Sequence, residues 1–270
     1  MHSSMVRLIE RLIHLRDDDR VIGWATPVPF FGTIGSAKIA TVGINPSNLE
    51  FVDNEGAELD GSDRRLPTLR SLEIPNWDSV DGDDLRVMLK ACESYFTHNP
   101  YRRWFDVLER VLERSEHSYY SSTNRSACHL DLVPFATSIK WSLLPTHYRR
   151  ALTDHGRTTM AEFIRDSPIE VLVLNGRSVV SEFESFAGDT LGVEDAPEWS
   201  LKRDGGKDVP GLLYSGEFSA LGTVELERPI RVIGYNHNLQ SSFGVTSNAI
   251  RAIGDYLGDQ LAAAPHYPSR

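Results

Sequence analysis

An amide side chain, Asn45, stands where an apolar run stops, within the segment Gly43-Ile44-Asn45-Pro46-Ser47. The preceding residues, 39–42, read Ile-Ala-Thr-Val, which is typical of a buried strand. Pro46 cannot continue a central strand, so the chain turns and leaves Asn45 at the strand's carboxyl end. An amide is a weak base, but its carbonyl oxygen can orient a water for attack. Taken alone, the segment is also explained as a strand followed by an ordinary turn.

Polar residues end three further apolar runs. Asp131 lies near the end of the second run, Asn175 ends the third, and Asn236-His237-Asn238 follows the fourth. Parallel strands place their carboxyl ends at one edge of a sheet, which is where α/β proteins bind ligands. The four strand ends therefore predict one site. There His237 can donate a hydrogen bond to a departing group, with a core or turn histidine as the alternative.

These runs alternate with helical patterns, which predicts βαβ units. We expect an α/β fold, a three-layer sandwich in which a short central, mainly parallel four-stranded sheet is flanked by helices. Residues 1–261 are interpreted as one domain with an acidic insertion at about 53–81, and residues 262–270 as a flexible tail. The predicted strands are Ile39–Val42, Cys128–Val133, Glu170–Leu174 and Ile230–Gly234, with a hairpin around Leu212–Glu227. Helices are predicted at Met5–Leu15, near 82–96, 101–115 and 146–166, from about 177, and at Ser247–Leu261.

Composition narrows the class of protein. The 270 residues contain no apolar run long enough to cross a membrane, and two cysteines are too few for a disulfide scaffold. We therefore expect a cytoplasmic protein with no metal and no cofactor. The formal charge is −10, which argues mildly against a polyanionic partner. Residues 94–160, however, carry 6 acidic and 9 basic side chains, so a basic face is possible there.

The ordered motifs resemble those of the uracil-DNA glycosylase superfamily, over roughly Lys38 to Leu257. The segment Gly43–Ser47 resembles the first motif of the mismatch-type branch, in which an Asn holds the attacking water. The segment Asn236–Ser242 stands where the family has His-Pro-Ser-Pro and a residue that wedges into the duplex, but only His237 matches. Residues 131–134, Asp-Leu-Val-Pro, resemble an Asn-Leu-Cys-Pro segment whose Asn reads the flipped base.

The resemblance implies a monofunctional DNA N-glycosylase, which flips a base out of the helix and hydrolyses its glycosidic bond. It implies catalytic roles for Asn45 and His237. The partner is DNA, duplex or single-stranded, with no membrane and no obligate protein partner. Leu239 or Gln240 is expected to fill the gap left in the duplex. Base recognition is assigned to Asp131, Phe51 and Ile44, with a core position as the equal alternative for Phe51. DNA binding is assigned to Ser47, Lys140, Asn238, Leu239, Gln240, Ser241 and Ser242.

Asp131 bears on the choice of base. An ionised carboxylate only accepts hydrogen bonds, and cytosine offers an amino donor where uracil offers a carbonyl oxygen. The hypothesis is therefore a modified cytosine, such as glucosylated 5-hydroxymethylcytosine in phage DNA, and a role in antiviral defence. Asp131 has another explanation, a local pairing with Arg149 or Arg177. The alternatives for function are a uracil or mismatch glycosylase, a non-catalytic nucleic-acid-binding module, and a nucleoside N-glycosidase.

Overall fold

Six strands form one sheet in the computed structural model, which describes residues 1–15, 20–121, 125–203, 205–240 and 244–263. The spatial order of the strands is β2-β1-β3-β6-β5-β4. In chain order they are β1 Ile39–Gly43, β2 Ala127–Asp131, β3 Val171–Asn175, β4 Gly192–Asp195, β5 Leu212–Leu221 and β6 Val224–Tyr235.

The sheet is mixed. Strands β2, β1, β3 and β6 run parallel, whereas β5 pairs antiparallel with both β6 and β4. The α/β class is thus confirmed, but the prediction of four strands is wrong. The hairpin predicted near residues 212–227 is continuous with the fourth parallel strand, so β5 joins the same sheet through β6. The exposed strand β4 then adds to its edge, and no apolar run marks that strand in the sequence.

Helices cover both faces of the sheet. On one face, Phe105 lies with its ring centroid 5.3 Å from that of His129 in β2, and Arg231 of β6 donates to the carbonyl of Gln260 at 3.0 Å. On the other face, Val180 packs beside Gly234 of β6. The helices are α1 His2–Leu15, α2 Gly82–Glu93, α3 Arg102–Leu112, α4 Thr146–Arg165, α5 Arg177–Ala187 and α6 Ser247–Ala262.

A single cluster of buried apolar side chains connects the sheet with the helices on both faces. Residues 53–81 contain only three-residue 3-10 helices, at Gly61–Asp63 and Trp77–Ser79, as their acidic, Gly- and Pro-containing sequence indicates. This segment still anchors Leu66 and Trp77 in the core. Within the described ranges no helix is both long and apolar enough to cross a bilayer. Residues 264–270, the larger part of the predicted tail, lie outside the described residues.

Candidate active site

A cleft of about 620 Å³ opens at the carboxyl ends of β1 and β2. The β1 register places Gly43 beside Asp131, and the pairing continues as Val133 donates its N–H to the carbonyl of Ile44 at 2.8 Å. The chain therefore carries Asn45 past the end of the sheet and into the wall of the cleft. The lining residues are Ile44, Asn45, Pro46, Ser47, Asn48, Trp104, Asp131, Thr137, Ile139, Lys140, Trp141, Ser142, Arg149, Ser178, Ser181, Glu182 and Asn238.

Two hydrogen bonds donated by the amide nitrogen fix the orientation of the Asn45 side chain. Nδ2 donates to the carbonyl of Pro46 and to Oγ1 of Thr137, both at 3.1 Å. The Pro46 carbonyl can only accept, and the Thr137 hydroxyl already donates to the carbonyl of Ile139 at 2.8 Å. Both partners thus require the nitrogen of the amide. Oδ1 is left without a hydrogen bond from the described part of the chain, and it can accept one from a water in the cleft.

Asp131 ends β2 with its carboxyl group almost fully buried, at 3% exposure, in the floor of the cleft. Its Oδ1 lies 3.4 Å from Nε2 of His129. A Cβ atom built on Gly43 would stand closer than 3.0 Å to this same Oδ1 and 3.0 Å from the imidazole nitrogen. Glycine in the first motif is therefore explained by the space that the Asp131 carboxyl group and the His129 ring occupy.

Behind Asp131 a chain of hydrogen bonds runs into the core. Nδ1 of His129 lies 2.7 Å from Oγ1 of Thr41, which is also hydrogen-bonded to the hydroxyl of Tyr119. Burial raises the pKa of Tyr119 well above its usual range, so its hydroxyl keeps the proton and can donate to Thr41. Thr41 can then donate to Nδ1, which leaves a proton on Nε2 facing Asp131. One carboxyl oxygen is thus held from behind, and the other is available to the cleft.

Glu50 is a buried acid that sequence reasoning missed. It lies on the 3-10 helix Asn48–Glu50 directly after the first motif, is 3% exposed, and accepts a hydrogen bond from the hydroxyl of Tyr95 at 2.6 Å. Burial raises its pKa from 4.5 to about 7, and the negative charge of nearby Asp131 adds to the rise. Position 50 is one of many acidic residues in the sequence, and only its burial distinguishes it.

His237 does not line the cleft. Its side chain is buried, and Nε2 donates to the carbonyl of Trp199 at 2.6 Å. Burial lowers the pKa of this imidazole. The structure brings Asn45 and Asp131 together but places His237 against the segment that precedes β5. Its predicted contact with a departing base is therefore absent from this arrangement.

The rest of the second motif is tied to the end of β3 by Asn175. The amide nitrogen of Asn175 donates to Oε1 of Gln240 at 2.6 Å, and Nε2 of Gln240 donates to the carbonyl of Trp104 at 3.3 Å. Leu239 is 5% exposed and belongs to the core. Among the described residues of this motif, only Asn238 lines the cleft, where it is exposed. Ser241 and Ser242 lie outside the described residues.

The aromatic walls of the cleft differ from those predicted. Phe51 is 1% exposed and contacts the ring of Trp24 at 6.3 Å between centroids, so it is a core residue. The cleft is instead lined by Trp104 and Trp141, together with the predicted Ile44. The indole N–H of Trp141 is buried without a hydrogen-bond partner among the described residues, and it can donate to a bound ligand. Trp104 belongs to an amphipathic helical pattern, which gives no sign of a site.

Cations and small polar groups line the same cleft. Lys140 is exposed, and Arg149 is half-buried with its guanidinium 3.3 Å from the hydroxyl of Thr146. Ser47 accepts a hydrogen bond from the N–H of Leu49 at 3.2 Å and caps the 3-10 helix after the first motif. The cleft thus combines a buried acid, an oriented amide, two indoles and basic groups. Of the predicted DNA-binding residues, Ser47, Lys140 and Asn238 lie here.

Two comparisons with known proteins found no match: the chain matches no protein-family model and no curated protein sequence. Nor does the described part of the chain contain a group of three His, Cys, Asp or Glu side chains that could hold a metal ion. Inferences about function therefore rest on the geometry of the cleft and on the chemistry of its residues.

Proposed function

We propose that this protein is a DNA glycosylase that hydrolyses the N-glycosidic bond of a flipped base and leaves an abasic site. One observation carries the proposal: the free carbonyl oxygen of Asn45 and the carboxyl group of Asp131 face the same cleft at the ends of adjacent strands. An amide that can orient the attacking water and a buried carboxyl group that can contact the base suit the hydrolysis of a base. Asn45 positions the water, and Asp131 contacts the base.

The proposed reaction is a hydrolysis in which water replaces the base on the sugar. The water oxygen bonds to C1′ as the C1′–N bond breaks, and the bonding electron pair leaves with the base. The departing base takes up a proton from solvent, and the proton lost by the attacking water is released to solvent. The free oxygen of the Asp131 carboxylate accepts from the N4 amino group and holds the base in place. His129 holds the other carboxyl oxygen in place throughout.

The proposed substrate is a modified cytosine, such as a glucosylated 5-hydroxymethylcytosine of phage DNA. A carboxyl oxygen at Asp131 accepts from the N4 amino group of cytosine and meets no donor at O4 of uracil. Small-molecule sites typically measure about 300–1,000 Å³, so a cleft of about 620 Å³ has room for more than one pyrimidine ring. Trp104 and Trp141 offer stacking surfaces for the base or a sugar substituent.

We further assign the activity to the cytoplasm, in defence against foreign DNA. Both cysteines, Cys92 and Cys128, are free and buried, which suits a reducing compartment. A substrate limited to modified cytosine also avoids damage to a host genome that lacks the modification.

The test uses synthetic DNAs that each carry one uracil, cytosine, 5-hydroxymethylcytosine or glucosylated 5-hydroxymethylcytosine, and scores alkali-labile abasic sites. The wild-type protein is expected to produce them only at modified cytosine. Asn45→Ala is expected to slow the reaction at least about 10²-fold, because the water loses its orientation. Asn48→Ala removes another amide from the cleft wall and is the matched control. Abasic sites on none of these DNAs would refute the proposed function.

A further inference from the structure

A glycosylase acting on duplex DNA needs a side chain to occupy the space that the flipped base leaves, and the predicted residues are not available. Leu239 is buried, and Gln240 is held between Asn175 and Trp104. Among the described residues, five large apolar side chains are well exposed, and two of them, Ile139 and Leu143, belong to one loop beside the cleft. Leu143 is the most exposed of the five, at 69%.

This loop, residues 137–144, is held firmly despite its exposed side chains. Trp141 and Leu144 are buried, on either side of Leu143, and the N–H of Leu143 donates to the carbonyl of Lys140 at 2.9 Å. At the start of the loop, the hydroxyl of Thr137 donates to the carbonyl of Ile139 and accepts from the amide of Asn45. The side chain of Leu143 is therefore presented to solvent from a fixed backbone, one that is tied to the water-positioning amide.

The charge around the loop suits a nucleic acid backbone. Residues 132–153 contain no Asp or Glu but do contain Lys140, Arg149 and Arg150, although the whole chain has a formal charge of −10. Lys140 and Arg150 are exposed, and Arg149 lines the cleft. Cations that flank an exposed apolar side chain are what a protein needs to hold phosphates on both sides of an inserted wedge.

We propose that Leu143, supported by Ile139, inserts into the base stack of duplex DNA and fills the gap opposite the cleft. The proposal rests on the proposed glycosylase function and deepens it, since it assigns the side chain that lets the cleft act on duplex DNA. Leucine and isoleucine side chains are used as wedges by proteins that unstack DNA, because the apolar side chain replaces the stacking contacts of the displaced base. The 137–144 loop takes this role in place of residues 239 and 240.

The test measures unstacking without requiring base excision. A duplex carries 2-aminopurine next to a modified cytosine, and its fluorescence rises when the neighbouring base leaves the stack. Wild-type protein is expected to raise the signal, and Leu143→Ala to weaken the response about tenfold or more, since most of the wedge's apolar contact is lost. Val87→Ala truncates another exposed apolar side chain, 51% exposed on α2, and is expected to behave as wild type.

Single-turnover excision separates this proposal from the proposed function. Leu143→Ala is expected to slow excision from duplex DNA while leaving excision from single-stranded DNA unchanged, because a single strand has no gap to fill. Equal fluorescence responses of Leu143→Ala and wild type, or no response by the wild type, would refute the wedge. Absence of abasic sites on both DNA forms would instead refute the glycosylase, and the fluorescence assay would still decide on the wedge.

Discussion

Because Gly43 has no side chain, the Asp131 carboxyl group fits directly beside it. Adding a side chain at position 43 is a sharp test of the site. In Gly43→Ala the new methyl group would stand closer than 3.0 Å to Oδ1 of Asp131 and 3.0 Å from Nε2 of His129. Gly43 ends β1, and its backbone conformation is one that alanine can adopt, so the substitution acts through this overlap.

The size of the effect follows from the geometry. Ordinary contact with a Cβ atom begins near 3.4 Å, so the carboxyl oxygen has to retreat by about 1 Å. A shift of about 1 Å in the position of a bound reactant can cost about 10²-fold in rate, and Asp131 contacts the base. Overpacking of a filled core typically costs about 1–3 kcal/mol in the free energy of unfolding. Gly43→Ala is therefore expected to excise modified cytosine about 10²-fold more slowly and to remain folded.

The assay is single-turnover release of the base from duplex DNA, with urea denaturation of the same samples to measure stability. Gly35→Ala is the matched control, because a Cβ atom there meets no atom within 4 Å. It is expected to retain the wild-type rate and the wild-type free energy of unfolding. Wild-type activity in a folded Gly43→Ala protein would show that the position of the Asp131 carboxyl group does not matter, and the reasoning would fail.

Two further predictions concern buried polar groups near the site. Burial raises the pKa of Glu50 from 4.5 to about 7. Between these pH values the folded state holds a proton that the unfolded state releases, so the free energy of unfolding falls as the pH rises. At about 1.4 kcal/mol per pKa unit, the free energy of unfolding should fall by about 3 kcal/mol more in wild type than in Glu50→Gln across this range. Urea titrations at several pH values measure this difference. If the free energies of unfolding of the two proteins change in parallel with pH, Glu50 does not have the raised pKa. Thr41→Val removes the hydroxyl between Tyr119 and His129 and should cost about 2–4 kcal/mol, because two buried groups lose a partner. A double-mutant cycle of Thr41→Val with Tyr119→Phe should then show coupling of about 1 kcal/mol, and strict additivity would argue against a connected chain of hydrogen bonds.

The sequence predicts the centre of the sheet well and its edge poorly, for physical reasons. Strands β1, β2 and β3 are buried on both faces and appear as short apolar runs, and the last four residues of β6 are buried in the same way. β4 has four exposed residues, Gly-Val-Glu-Asp, and is a strand only because β5 offers free backbone groups beside it. That pairing depends on a long-range hairpin and leaves no local pattern.

In the candidate site, too, some features can be predicted from the sequence and others depend on tertiary packing. Asn45 and Asp131 are predictable because proline and polar residues mark where adjacent parallel strands stop. Side-chain direction is not predictable in this way: His237 points to the carbonyl of Trp199, a contact between residues 38 positions apart. Leu143 and Leu239 are chemically identical, and only tertiary packing exposes the first and buries the second.

The most direct test of the central claim is to identify the base that the protein releases, by mass spectrometry, from duplexes that carry equal amounts of uracil and glucosylated 5-hydroxymethylcytosine. Wild-type protein is expected to release the modified cytosine and no uracil. Asp131→Asn should lose that preference and favour uracil, because an amide can donate to O4 and accept from N3–H. Release of uracil alone by the wild type, or of neither base, would contradict the account.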